Sequence, residues 1–125
     1  MRKVIPVLLF LVFFSCKNQE KTAPVATKDA TSKTPEQLGK EIFEGKGNCI
    51  ACHQPKQMVV GPSIEEIAKI YKDKNASIIS FLKENSAPLV DPEKYEIMKT
   101  NLTITKAMSD EELNALEAYI YSNLK

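Results

Sequence analysis

Cys49 and Cys52 stand three positions apart, and His53 follows at once, in the stretch Cys49-Ile50-Ala51-Cys52-His53. Two thiols at this spacing can each add across a vinyl group on one edge of a haem, giving two thioethers. The residue directly after the second thiol is then held beneath the macrocycle, where an imidazole reaches the iron. The C-x-x-C-H pattern therefore predicts c-type haem attachment, one covalent haem per chain, with His53 as the proximal ligand. His53 is also the only histidine in the chain. A thioredoxin-like dithiol needs a βαβ setting, and no strand-period segment flanks this one. A structural zinc site would be one ligand short.

The third cysteine has a different setting. Arg2 and Lys3 precede eleven residues, Val4 to Phe14, that are apolar apart from Pro6. The run is shorter than the roughly 20 residues a spanning helix needs, and it fits the apolar core of a secretory signal behind a basic start. It ends at Ser15-Cys16, which resembles a bacterial lipoprotein signal, so residues 1–15 are read as signal peptide and Cys16 as the lipidated first residue of the mature chain. An ordinary cleaved signal, or an anchor that is retained, is the alternative. Two cysteines on haem and one on lipid leave no unpaired thiol in an oxidising compartment. Export also suits covalent haem attachment, which takes place outside the inner membrane.

Residues 17–33 are built almost wholly from Lys, Thr, Ala, Ser, Asn and Gln, with Val25 the only sizeable apolar side chain. Such a segment cannot bury enough surface to offset its ordering entropy, and reads as a tether. Its mean span would be roughly 22 Å and its taut reach about 58 Å. One domain follows, residues 34–125, small enough for a covalent haem to matter as a staple of its core. Without Arg2 and Lys3, fifteen basic residues face sixteen acidic ones. No basic block exists and no arginine follows Arg2, which argues against nucleic acid as a partner.

The elements that must position the motif are helical. Thr34-Pro35-Glu36-Gln37 forms a capping box with proline at the first helical position. Leu38, Ile42 and Phe43 follow at helical spacing, and Gly45 and Gly47 end the segment. Ile64, Ile67, Ala68 and Tyr71 mark one face of a second helix, and Ile78, Ile79 and Leu82 that of a third. Ser109-Asp110-Glu111-Glu112 is another capping box, opening a last helix with Leu113, Leu116, Ile120 and Leu124. No hairpin signal is present, so the fold class is all-α, with about four to five helices around one covalently bound haem.

In these motifs the chain resembles a small bacterial class I, monohaem cytochrome c over nearly all of residues 34–125. The resemblance implies a close crossing of the first and last helices, with Gly39 and Phe43 against Leu116 and Tyr119 or Ile120. It implies that Gly61-Pro62 forms the proximal loop, the Pro62 carbonyl accepting the Nδ1–H of His53. It also implies a distal methionine. Met58 lies too close to His53 in sequence. Met98, after the short turn expected at Asp91-Pro92 and on a long loop able to fold over the distal face, is taken as the ligand. Met108, just before Ser109, occupies a hydrophobic-staple position and is the second choice. Lys99 follows Met98 where the family commonly has proline.

A haem ligated by His53 and Met98 has no vacant iron position, so the expected role is not enzymatic. It is that of a monomeric one-electron carrier, exchanging electrons with larger redox proteins while tethered by Cys16 on the periplasmic side of a bacterial membrane. A haem sensor with an open sixth position is the alternative.

Overall fold

The computed structural model describes residues 33–124. The signal segment, Cys16 and all of the tether but Lys33 therefore lie outside the described residues. Among these there are five α-helices and no strand, α1 (Pro35–Glu44), α2 (Ile64–Asp73), α3 (Ile78–Leu82), α4 (Tyr95–Lys106) and α5 (Asp110–Ser122). Single 3-10 turns at Cys49–Ala51 and Pro92–Lys94 join them.

Three of the helices start from a local signal. The Thr34 hydroxyl accepts the Gln37 N–H at 3.3 Å, and the Gln37 side chain accepts the Thr34 N–H at 3.0 Å. Together they satisfy two of the orphan donors of a helix start. Ser109 and Glu112 do the same for α5, at 3.3 and 2.9 Å. The Ser63 hydroxyl caps α2 by accepting the Glu66 N–H at 3.1 Å. α1 stops at Gly45, and the left-handed residue that turns the chain toward Cys49 is Asn48 (φ 50°) rather than either glycine.

α1 and α5 cross almost backbone to backbone. A Cβ placed on Gly39 would collide with the Ala115 carbonyl and approach the Tyr119 Cβ to 2.7 Å, so only glycine permits this approach. One turn on, the Phe43 and Tyr119 rings meet at 5.3 Å and 57°, a favoured tilted pairing. The implied crossing is thus present, with Ala115 and Tyr119 at its centre and Leu116 and Ile120 buried beside it. Ile42, Ile64, Ala68, Ile78, Leu102 and Leu113 complete a core drawn from all five helices.

The stretch around Met98 differs from the expected loop. The short turn does form, with the Asp91 carboxylate accepting the Lys94 N–H at 3.2 Å, but residues 95–106 then continue as the twelve-residue α4. Tyr95, Met98, Leu102 and Thr105 recur at helical spacing on its inner side. Ile97 and Ile104 stay exposed (60% and 37%), which blurs the amphipathic pattern. Thr100, Thr103, Ile104 and Thr105 are β-branched and lower its intrinsic propensity. Burial of Leu102 and Thr105 against distant residues stabilises the helix instead.

Candidate cofactor site

Among the described residues, one large cavity lies inside the helical assembly, holding about 1060 Å³ of empty space with its open mouth included. All five helices contribute to its lining, which is almost entirely apolar. Phe43 and Ile64 are among the apolar side chains, and Cys49, Cys52, His53 and Met98 bring sulfur and imidazole nitrogen to the wall. The fit to a haem is good on two counts: the apolar lining, and two thiols beside an imidazole at the wall.

The proximal wall is fixed by short backbone connections. The 3-10 turn at Cys49–Ala51 brings both cysteines to the cavity as half-buried free thiols. Burial pushes the Cys49 thiol up to about 11, against a backbone hydrogen bond that lowers it; the nearby Cys52 adds to the rise. The thiol, not the thiolate, is thus the form held at neutral pH.

His53 Nδ1 lies 2.8 Å from the Pro62 carbonyl oxygen. A carbonyl can only accept, so Nδ1 carries the proton and Nε2 is left free to act as a ligand. Sequence reasoning named the proline; it did not assign a role to the glycine before it. A Cβ on Gly61 would sit 2.5 Å from His53 Cε1 and 2.9 Å from Nδ1, so the imidazole rests directly on the Gly61 backbone. The loop is held in that place by the Gly61 N–H donating to the Cys52 carbonyl at 3.0 Å. The glycine was legible as part of a Gly-Pro turn, but its contact with the ring is a tertiary fact.

The methionines are separated by their surroundings. Met98 is half-buried and lines the cavity from α4. Met108 is 8% exposed, belongs to the core cluster with Leu113 and does not line the cavity. Met58 pairs with His53 through an isolated backbone bridge, and its side chain is 58% exposed.

Tyr71 also lines the cavity. Its burial, with the Tyr121 charge as a second cause, pushes its hydroxyl up to about 12. Neighbouring rings continue from it, Tyr71 to Phe81 at 6.4 Å and Phe81 to Tyr95 at 6.1 Å. No group of three or more metal-ligating His, Cys, Asp or Glu side chains occurs among the described residues.

Comparison with known proteins agrees with this geometry. The family model for Cytochrome c matches residues 36–123. A curated relative, Cytochrome c-552 of Nitrosomonas europaea, is 57% identical over 30 residues; that segment is 24% of this chain and 29% of the relative. With most of its length matched by the family model, and a cavity with two thiols and an imidazole on an otherwise apolar wall, this chain belongs to the cytochrome c family.

Proposed function

We propose that this haem-based electron carrier holds its haem through thioethers at Cys49 and Cys52 and ligates the iron with His53 and Met98. The observation that carries the reading is the sorting of side chains around one cavity: His53 and Met98 both line it, while Met108 packs in the core. When bound, the haem supplies a one-electron couple at its iron.

The chain's own residues do the rest. The Pro62 carbonyl holds the His53 proton on Nδ1 and orients the ring, which strengthens Nε2 as a donor. Met98 offers a thioether, which favours the reduced state relative to a second nitrogen donor. With His53 and Met98 both donating, no iron position would be left for substrate, which supports a carrier over a ligand-binding sensor. The apolar lining keeps water from the site, so little reorganisation accompanies electron transfer.

Partners would be larger redox proteins that dock briefly. In support, Val60 and Ile97 line the cavity and are also exposed, at 43% and 60%, giving its mouth an apolar rim suited to short-lived contact. Export and lipid anchoring at Cys16 remain part of the proposal. No helix among the described residues is long and apolar enough to cross a membrane.

The test compares two methionines in holoprotein. Met98→Ala should abolish the weak near-infrared band of iron–thioether ligation, lower the reduction potential and open the iron to carbon monoxide. Met108→Ala should keep the band and lose about 2–5 kcal/mol of stability. The reverse pattern would assign the ligand to Met108. A band retained in both would refute thioether ligation from either residue.

A further inference from the structure

α4 carries Met98, yet little of α4 is buried. Leu102 and Thr105 are its only buried residues. Apolar contact has no direction, so a helix held by one buried leucine and the half-buried Tyr95 and Met98 can slide or roll unless a directional bond fixes it. Thr105 supplies that bond. Its Oγ1 lies 2.6 Å from the Leu82 carbonyl oxygen and 3.1 Å from that of Leu102 in its own helix. A hydroxyl has one proton to donate, and the shorter contact is the one between helices. α3 ends at Leu82, so this carbonyl has no helical donor of its own. Thr105 meets a buried acceptor that would otherwise be left bare.

Thr105 lies seven residues after Met98, two turns on along the same side, with Leu102 between them. A slip or roll of α4 large enough to move the Met98 sulfur would break the bond to Leu82. Glu84, two residues past Leu82 and at a left-handed φ of 56°, grips the same helix at the surface. Its carboxylate accepts from Lys106 Nζ at 2.6 Å and from the Tyr95 hydroxyl at 3.4 Å. Those contacts reach the last and first residues of α4.

We propose that Thr105 is a positioning residue for the distal ligand: its bond to the Leu82 carbonyl fixes the register and roll of α4, and so the place of the Met98 thioether in the cavity. This rests on Met98 as ligand and adds the residue that governs how readily the ligand lets go.

The experiment titrates oxidised holoprotein with imidazole and follows loss of the near-infrared band. Thr105→Val keeps the shape and removes the donor, so imidazole should displace the thioether at about tenfold lower concentration. Thr105→Ser keeps the hydroxyl and should stay within about twofold of wild type. Leu102→Ala loosens the same helix without touching the bond, and should lower thermal stability more than Thr105→Val while shifting the imidazole midpoint less. Thr105→Val within twofold of wild type, or Leu102→Ala shifting the midpoint as far as Thr105→Val, overturns the proposal.

If Thr105→Val does not accumulate folded, Glu84→Ala carries the test. Its midpoint should fall, and an unchanged midpoint overturns the proposal that the end of α3 holds α4 in register. Met98→Ala run alongside separates the two readings. Retention of the band in that variant removes the ligand assignment and this proposal with it. Loss of the band there, with an unmoved Thr105→Val midpoint, removes only the role of Thr105.

Discussion

Gly61→Ala probes the proximal side with the smallest possible change, one methyl group. The added carbon would lie 2.5 Å from His53 Cε1, where ordinary contact begins at 3.4 Å, so the ring or the loop has to give by about 0.9 Å. The loop cannot easily retreat: the Gly61 N–H donates to the Cys52 carbonyl at 3.0 Å, and the Gly61 carbonyl accepts from the Val59 N–H at 3.2 Å. The ring therefore yields, and its 2.8 Å bond to the Pro62 carbonyl lengthens beyond hydrogen-bond range.

That bond makes Nε2 a stronger donor, which favours the more positively charged oxidised iron. With His53 ligating as proposed, its loss raises the reduction potential. A bond worth about 1 kcal/mol corresponds to about 40 mV for a one-electron couple, since tenfold is 59 mV. Overpacking adds about 1–3 kcal/mol of destabilisation, a fall in melting temperature of about 5–15 °C for a domain of this size. Spectroelectrochemical titration and a thermal melt of the holoprotein measure both. A potential within about 10 mV of wild type, together with an unchanged melt, would refute the reasoning.

Three further outcomes are expected. Gly39→Ala should destabilise the α1–α5 crossing by about 3 kcal/mol, because its methyl meets the Ala115 carbonyl, which is backbone and cannot swing aside; a denaturant midpoint equal to wild type would show the crossing to be looser. Tyr71 ionises at about 12 in the folded chain against a reference value of 10.0. Its contribution is therefore full below pH about 10 and is lost as pH rises toward 12, because the unfolded chain ionises first. Unfolding midpoints should fall more steeply over that window in wild type than in Tyr71→Phe, and equal slopes would count against the burial argument. Cys16→Ala should release the protein into the soluble fraction with its absorption spectrum unchanged, and a variant that stays on the membrane would point to a retained signal or a bound partner.

How much of this protein could be read from its sequence follows from the range of the forces involved. The C-x-x-C-H motif, the capping boxes at Thr34 and Ser109, and the Gly61-Pro62 turn depend on neighbours within about four residues. Local chemistry of this kind is written into the chain directly. Core positions on α1, α2 and α5 were legible for a related reason, since a helix with one buried face repeats its apolar residues at a fixed spacing.

α4 was not legible as a helix. Its β-branched residues and exposed Ile97 and Ile104 speak against one, and it forms because Leu102 and Thr105 find burial, and Thr105 a carbonyl, on a segment more than twenty residues away. The same holds for the methionines. Sequence leaves Met98 and Met108 as rivals ten residues apart, while the packed structure puts one in the cavity wall and the other in the core. Which side of a helix meets a cavity is decided by the partner helices, and burial against them is a property of the assembled chain that no short window of residues contains.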